Sequence, residues 1–221
     1  MNMKLGILLQ GRVTEWTPYI IEEYQTNFPE SQILLSTWET ENVEVINCDV
    51  IKSKAPEIAG KQRSTVNFQI VGTQAGLKKI NADVILKCRT DQFIHNRNIF
   101  QIYFDYAFPE RIMVPDYGTY EIIKYRTSDF CQIATKQILD DFWLKIPKYD
   151  PKNYEESGVY LTKNYLQNIK NELDPWEEKL RKYFCVKSYF DDFQIEWEKL
   201  NQIDEYQEIL YNAFSQRALS E

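Results

Sequence analysis

Apolar residues along this chain fall into short continuous runs separated by helical stripes. "KLGILLQ" (4–10), a short apolar run between Lys4 and Gln10 closed by Gly11, reads as a buried first strand. Trp16, Tyr19, Ile20 and Tyr24 then recur at helical spacing, with Thr17 and Pro18 suited to an N-cap and first turn. "SQILLSTW" (31–38) predicts a second buried strand, and the alternation in "VEVIN" (43–47) predicts a third. Val66, Ile70, Thr73, Leu77 and Ile80 mark one face of a helix, and "DVILKCRTD" (83–91) a strand directly after it. Strand–helix–strand–strand–helix–strand is the signature of an α/β fold with a mainly parallel, Rossmann-like sheet flanked by helices. Beyond residue 100 the pattern loosens. "IFQIYFDYAF" and "EIIKYRTSDF" predict further strands, "TKQILDDFW" a helix, and the text from about 154 reads as helical to the end, with Pro175 opening a new helix.

There is no internal repeat, low-complexity tract or linker, so residues 1–221 read as one domain with a helical C-terminal portion. The net charge of −7, with no cluster of basic residues, argues against nucleic acid as a partner. Cys48, Cys88, Cys131 and Cys185 are scattered without a CxxC pair, which excludes a zinc ribbon and a disulfide framework. His95 is the sole histidine, so a His-rich metal site is excluded as well. The apolar run near the N-terminus is too short for a signal peptide, and no segment is long enough to span a bilayer. A cytoplasmic protein is expected, with peripheral membrane contact left open.

Ligands of an open parallel sheet bind outside the carboxyl ends of its strands. Three such ends are polar here: "QGR" (10–12), "STWE" (36–39) and "KCRTD" (87–91). Gly11 permits close backbone approach and Arg12 can pair with phosphate; a turn glycine beside a surface arginine is the plain alternative. Neither GxGxxG nor GxxxxGK[ST] occurs. Asp91, at a strand tip, is placed to hold Mg²⁺ or Mn²⁺, which take oxygen ligands and complete their shell with phosphate and water. An ion pair with Arg89 or Lys87 is its structural alternative. Asp129 reads as a helix N-cap or a general base, and Glu155 and Glu156 as a solvated pair or one catalytic carboxylate. Trp38, Tyr117 and Tyr120 offer stacking surfaces or core packing. His95 reads as a surface imidazole, or as a further metal or phosphate contact.

Together, "GILLQGRV", "FPESQILLSTWETE" and "VNFQIVGTQAGLKKINADVILKCRTDQFI", with "TSDF" near 128–130, resemble the WavE family of lipopolysaccharide-synthesis proteins, which look like GT-A glycosyltransferases. The likeness covers about the first hundred residues. It implies a nucleotide-sugar donor, UDP-linked, bound by that half, with the glycan or glycolipid acceptor on residues 101–221. It places Gln10, Gly11 and Arg12 in the first nucleotide-binding loop beside Ser36, Thr37 and Trp38. Asn67 and Gln69 start the helix leading to the strand that carries Lys87, and Arg89 and Asp91 occupy the D-x-D position. Arg89 replaces the first acid of that motif, leaving one strong ligand for the divalent ion and an arginine able to pair a diphosphate. Phe68 stands where relatives are expected to carry a basic residue. Glycosyl transfer, with Asp129 or Glu156 as base, is the expected activity. The alternatives are a sugar-phosphate nucleotidyltransferase, for which "GRVTEW" makes a short loop, and a non-catalytic glycan-binding module.

Overall fold

The computed structural model describes residues 3–58, 64–150 and 155–209. Its frame is a seven-stranded sheet in the order β3-β2-β1-β4-β7-β6-β8. The strands are β1 (Leu5–Gln10), β2 (Gln32–Trp38), β3 (Asp49–Ser53), β4 (Val84–Arg89), β6 (Ile112–Pro115), β7 (Gln132–Thr135) and β8 (Phe184–Lys187), and all are parallel except β7. A separate ribbon pairs β5 (Gln92–Ile94) with β9 (Ile195–Trp197), antiparallel.

Successive side chains of a strand point to opposite faces, so the unbroken run of β1 feeds two cores. Ile7 and Leu9 join Leu35, Leu86 and Cys88 beneath α1 (Thr17–Asn27) and α3 (Ile99–Tyr106). Leu8 joins Leu34 and Ile85 beneath α2 (Val66–Lys79) and α4 (Lys136–Trp143). Each fully buried aliphatic side chain contributes roughly 1.5–3 kcal/mol. Helix α2 lies unusually close to β1, because a Cβ on Gly76 would sit 2.3 Å from Leu8 Cδ1 and one on Gly72 2.7 Å from Gln10 Cγ.

Four expectations change. The third strand is 49–53 rather than 43–47; among the described residues it pairs with β2 alone, and such edges tolerate the polar "DVIKS" that an apolar-run criterion passes over. "IFQIYFDYAF" forms helix α3, because its buried residues Ile99, Phe100, Tyr103 and Ala107 follow the helical period. "EIIKYRTSDF" forms turns, with Ile122 93% exposed and Tyr125 at φ 64°. The C-terminal region holds α5 (Ser157–Lys163), a π-helical turn at Asn164–Ile169 and α6 (Trp176–Tyr183) after Pro175, and also the strands β8 and β9. The helical reading of 210–221 lies outside the described residues.

The β5–β9 ribbon is fastened to α1 by the one histidine. His95 Nδ1 lies 2.8 Å from Glu23 Oε1 and Nε2 3.2 Å from Glu196 Oε2, and the ring stacks on Phe93 at 5.2 Å. Burial opposes its charge, but the hydrogen bonds to Glu196 and Glu23 outweigh that and raise its pKa from 6.5 to about 9. A raised folded-state pKa stabilises the fold fully below the unfolded value and ceases to do so as pH rises through the folded one. Stability will therefore decline between about pH 6.5 and 9 from this group. His95→Gln is expected to cost about 1–2 kcal/mol at pH 6, a Tm loss of some 2–6 °C, and almost nothing near pH 10. Equal losses at both pH values would show that the imidazolium is not what matters.

Candidate active site at the strand ends

Strand order reverses between β1 and β4: the chain runs from β1 outward through β2 and β3, then returns to β4 on the other side of β1. The crevice outside such a reversal is where α/β sheets bind ligands. Gln10 at the tip of β1 stands in register with Ser36 on one side and Arg89 on the other, so the three polar strand ends share one rim.

Much of that rim serves to seat α2. Gln10 Nε2 donates to Phe68 O at 3.3 Å and Ser36 Oγ to Gly72 O at 2.7 Å. Trp38 is buried edge-on against Phe68. Asn67 makes a two-way pair with the backbone of Tyr149, donating to its O at 3.1 Å and accepting from its N at 2.8 Å. Thr37 is buried, and its hydroxyl has no partner among the described residues. Gly11 holds φ 149°, and a Cβ there would meet Thr90 Oγ1 at 2.6 Å, so only glycine lets the first loop lie against the tip of β4. Thr17 pins the same tip from α1, its Oγ1 donating to Thr90 O at 3.0 Å. Arg12 points outward, 80% exposed, and pairs with Glu41 at 3.3 Å, an ion pair of little energetic weight.

The charged centre is built on β4 and on the residues before β7. Because β7 runs against its neighbours, it begins at the edge where the parallel strands end, and this delivers residues 126–131 to the rim. Lys87 is fully buried; its Nζ donates to Asp129 O at 2.5 Å and lies 4.7 Å from the centre of the Trp143 ring. Desolvation lowers its pKa to about 8, with the Asp129 charge opposing. Asp129 Oδ2 accepts from Gln69 Nε2 at 2.8 Å, so two of the expected site residues meet here. Asp129 precedes a strand, and the N-cap of α4 is Thr135, whose hydroxyl accepts from Ile138 N. That removes the capping explanation for Asp129.

Arg89 and Asp91 form a fork: Nε to Oδ1 at 2.8 Å and Nη2 to Oδ2 at 2.9 Å. Burial would raise the Asp91 pKa, but the Arg89 hydrogen bond and charge, then Trp197, hold it below the usual carboxylate value. Trp197 Nε1 donates to Asp91 Oδ2 at 3.1 Å, and its ring lies 5.3 Å from the guanidinium carbon of Arg89. Both Asp91 oxygens are thus already engaged by charge-assisted or indole donors. Among the described residues no group of three His, Cys, Asp or Glu side chains is arranged to hold a cation. His95, tied to Glu23 and Glu196, supplies no ligand beside Asp91. A divalent ion of the kind the D-x-D likeness implies would find one carboxylate here, already paired with the Arg89 cation and Trp197, so the donor set fits it poorly.

Next to this centre lies a cavity of about 310 Å³. Its walls include Tyr117, Tyr120, Arg126, Asp129, Glu156 and Trp197. Glu156 pairs with Arg126 at 2.7 Å, and Arg126 lies 4.8 Å over the Tyr120 ring. Glu155 instead pairs with Lys163 at 2.9 Å. Ser128 lines the cavity too, and among the described residues neither its buried hydroxyl nor Gln69 Oε1 beside Asp129 has a hydrogen-bond partner. Such groups cost ~1–3 kcal/mol each unless a ligand or water meets them. A wider depression of about 1260 Å³ beside the start of α1 and another of about 600 Å³ along β8 are larger, but neither includes Asp129 or Glu156. Trp197, Arg126 and Ser128 escaped the sequence reading. Nothing local ties Trp197 to Asp91, 106 residues earlier.

Among solved structures, the chain is similar to 4-diphosphocytidyl-2C-methyl-D-erythritol synthase from Anaerococcus prevotii, with 9% identity, a TM-score of 0.50, and coverage of 84% of this chain and 87% of that one. It is also similar to a glycosyltransferase involved in glycosylation of the major capsid of PBCV-1, with 10% identity, a TM-score of 0.49, and coverage of 85% and 83%. At such identity the likeness concerns the fold, a mainly parallel Rossmann-like sheet of the GT-A-like kind. No curated protein sequence matches. Among the described residues no helix is long and apolar enough to cross a membrane. The family model described as WavE lipopolysaccharide synthesis matches residues 10–168, most of the chain, and the protein belongs to that family.

Proposed function

We propose that the protein is a glycosyltransferase that moves a sugar from a nucleoside-diphosphate sugar, a UDP-sugar in the first instance, to a hydroxyl of a glycan or glycolipid. The observation that carries this is the cavity at the strand ends, where two carboxylates, aromatic walls and a buried hydroxyl with no partner among the described residues adjoin the Arg89–Asp91 pair. Family membership in lipopolysaccharide synthesis supports the class of acceptor. Residues 1–100 form the donor half in this reading, and the later residues contribute the acceptor side.

Asp129 is the base. Its Oδ2 is fixed by Gln69, and among the described residues Oδ1 takes no hydrogen bond. Oδ1 accepts the proton of the acceptor hydroxyl as that oxygen bonds to the sugar's anomeric carbon. The bond from that carbon to the diphosphate breaks, and its electron pair leaves with the diphosphate. Glu156, held by Arg126, orients sugar hydroxyls, and Tyr117 and Tyr120 flank the ring. Asp91 stays paired with Arg89 and Trp197 throughout.

Incubation with a panel of nucleotide sugars tests the reading. Release of nucleoside diphosphate from at least one donor, accelerated by an oligosaccharide or glycolipid acceptor, is expected. Pyrophosphate release from a nucleoside triphosphate and a sugar phosphate would replace it with nucleotidyl transfer. Glycan binding without nucleotide turnover would make the protein a binding module.

A further inference from the structure

A bare carboxylate at the D-x-D position invites a cation, but Asp91 is not bare. Three donors converge on its two oxygens, at 2.8 Å, 2.9 Å and 3.1 Å. Oδ2 takes two of these bonds and Oδ1 one, so a Mg²⁺ or Mn²⁺ ion, which binds oxygen at about 2.0–2.2 Å, would have to share the single carboxylate with the Arg89 cation beside it. The same fork has the opposite effect on Arg89. It fixes the guanidinium through Nε and Nη2, while Nη1 makes no hydrogen bond among the described residues. The side chain keeps 35% of its surface exposed, and the Trp197 ring supports it from one side. Burial would weaken its charge, but the Asp91 hydrogen bond and charge raise its pKa, so the cation is permanent. A fixed, permanently charged, planar donor with a free edge is suited to phosphate oxygens.

We infer that the Arg89 guanidinium stabilises the departing diphosphate in place of a divalent cation, with Asp91 and Trp197 acting as positioning residues that hold it. This rests on the donor reading above. As the anomeric carbon–oxygen bond breaks, the electron pair collects on the diphosphate, and the free N–H edge of Arg89 meets the new charge. The first acid of the usual motif is absent because an arginine does its work, and the second acid serves the arginine.

UDP, with CDP, GDP and TDP in parallel, would be titrated into the protein calorimetrically in EDTA and in Mn²⁺, with electron paramagnetic resonance of Mn²⁺ on the same samples. The expected result is an affinity that agrees within about twofold in the two buffers, with Mn²⁺ giving only the signal of the free ion. Arg89→Lys, which keeps the charge but loses the fork, should weaken binding by about tenfold or more in both buffers. Arg89→Gln should weaken it at least as much, circular dichroism showing each variant folded. Tightening by more than about tenfold in Mn²⁺, with an immobilised Mn²⁺ signal that Asp91→Asn abolishes, would overturn the inference and leave the donor reading intact. If no nucleotide binds in either buffer, both fall. Should either arginine variant unfold, the wild-type comparison of EDTA with Mn²⁺ still decides.

Discussion

Asp129→Asn will lower the rate of sugar transfer by about 10²–10⁴-fold while changing donor affinity only a few-fold. The exchange removes the oxygen proposed to accept the hydroxyl proton and little else. An asparagine has the same shape, its carbonyl can accept from Gln69 Nε2, and the main-chain oxygen that anchors Lys87 is untouched. The melting temperature should therefore stay within a few degrees. Glu156→Gln is the internal control: its partner Arg126 is a half-exposed cation, so a loss of about tenfold or less is expected. Steady-state kinetics with the donor identified by the panel, alongside thermal melts, measures all three quantities. Equal transfer by wild type and Asp129→Asn would remove Asp129 from the chemistry, whatever becomes of the donor.

Lys87→Ala should be the most destabilising single change at the rim, by about 3–5 kcal/mol. It empties the space of a fully buried four-carbon stem and leaves Asp129 O without its hydrogen bond. Lys87→Met refills the space without restoring the hydrogen bond. It should recover most of the stability but not the transfer rate, since residues 128–130 lose their tether to β4. The pH dependence separates charge from volume. The folded-state pKa of Lys87 is lowered from 10.5 to about 8, so between these values the unfolded chain binds more protons and stability rises with pH. Chemical denaturation from pH 8 to 10.5 should show that rise in the wild type and lose it in Lys87→Met. The trend from His95 runs the other way up to about pH 9, so the comparison is best made in the His95→Gln background. Persistence of the rise in Lys87→Met would locate it in another group.

The central strands β1, β2 and β4 were legible because strands covered on both faces are written as continuous apolar runs. β3 carries Asp49 and Lys52, β9 is three residues long, and β8 lies in a region dominated by charge, so no local pattern announced them. Helix α3 was hidden by its composition: a run rich in aromatic and β-branched residues resembles a strand until its buried positions are seen to fall on one stripe. In the site, the polar tips of β1, β2 and β4 could be placed on one rim because parallel strands end together. Their partners could not. Gln10, Ser36 and Asn67 turn to the backbone of α2 and of Tyr149, and Asp91 turns to an indole from the far end of the chain. A strand end shows that a polar group reaches the rim, but its orientation is set by contacts with no fixed sequence spacing.

The ribbon of β5 and β9 ties distant parts of the chain together. Gln92 is paired with Trp197 and Ile94 with Ile195, so closing it means joining two segments about a hundred residues apart. The β1–β2 and β1–β4 pairings close shorter loops, and long loops are entropically the slowest to close. The aromatic support of the Arg89 fork therefore depends on the longest of these three loop closures, and a change anywhere that loosens the ribbon would reach the rim through Trp197.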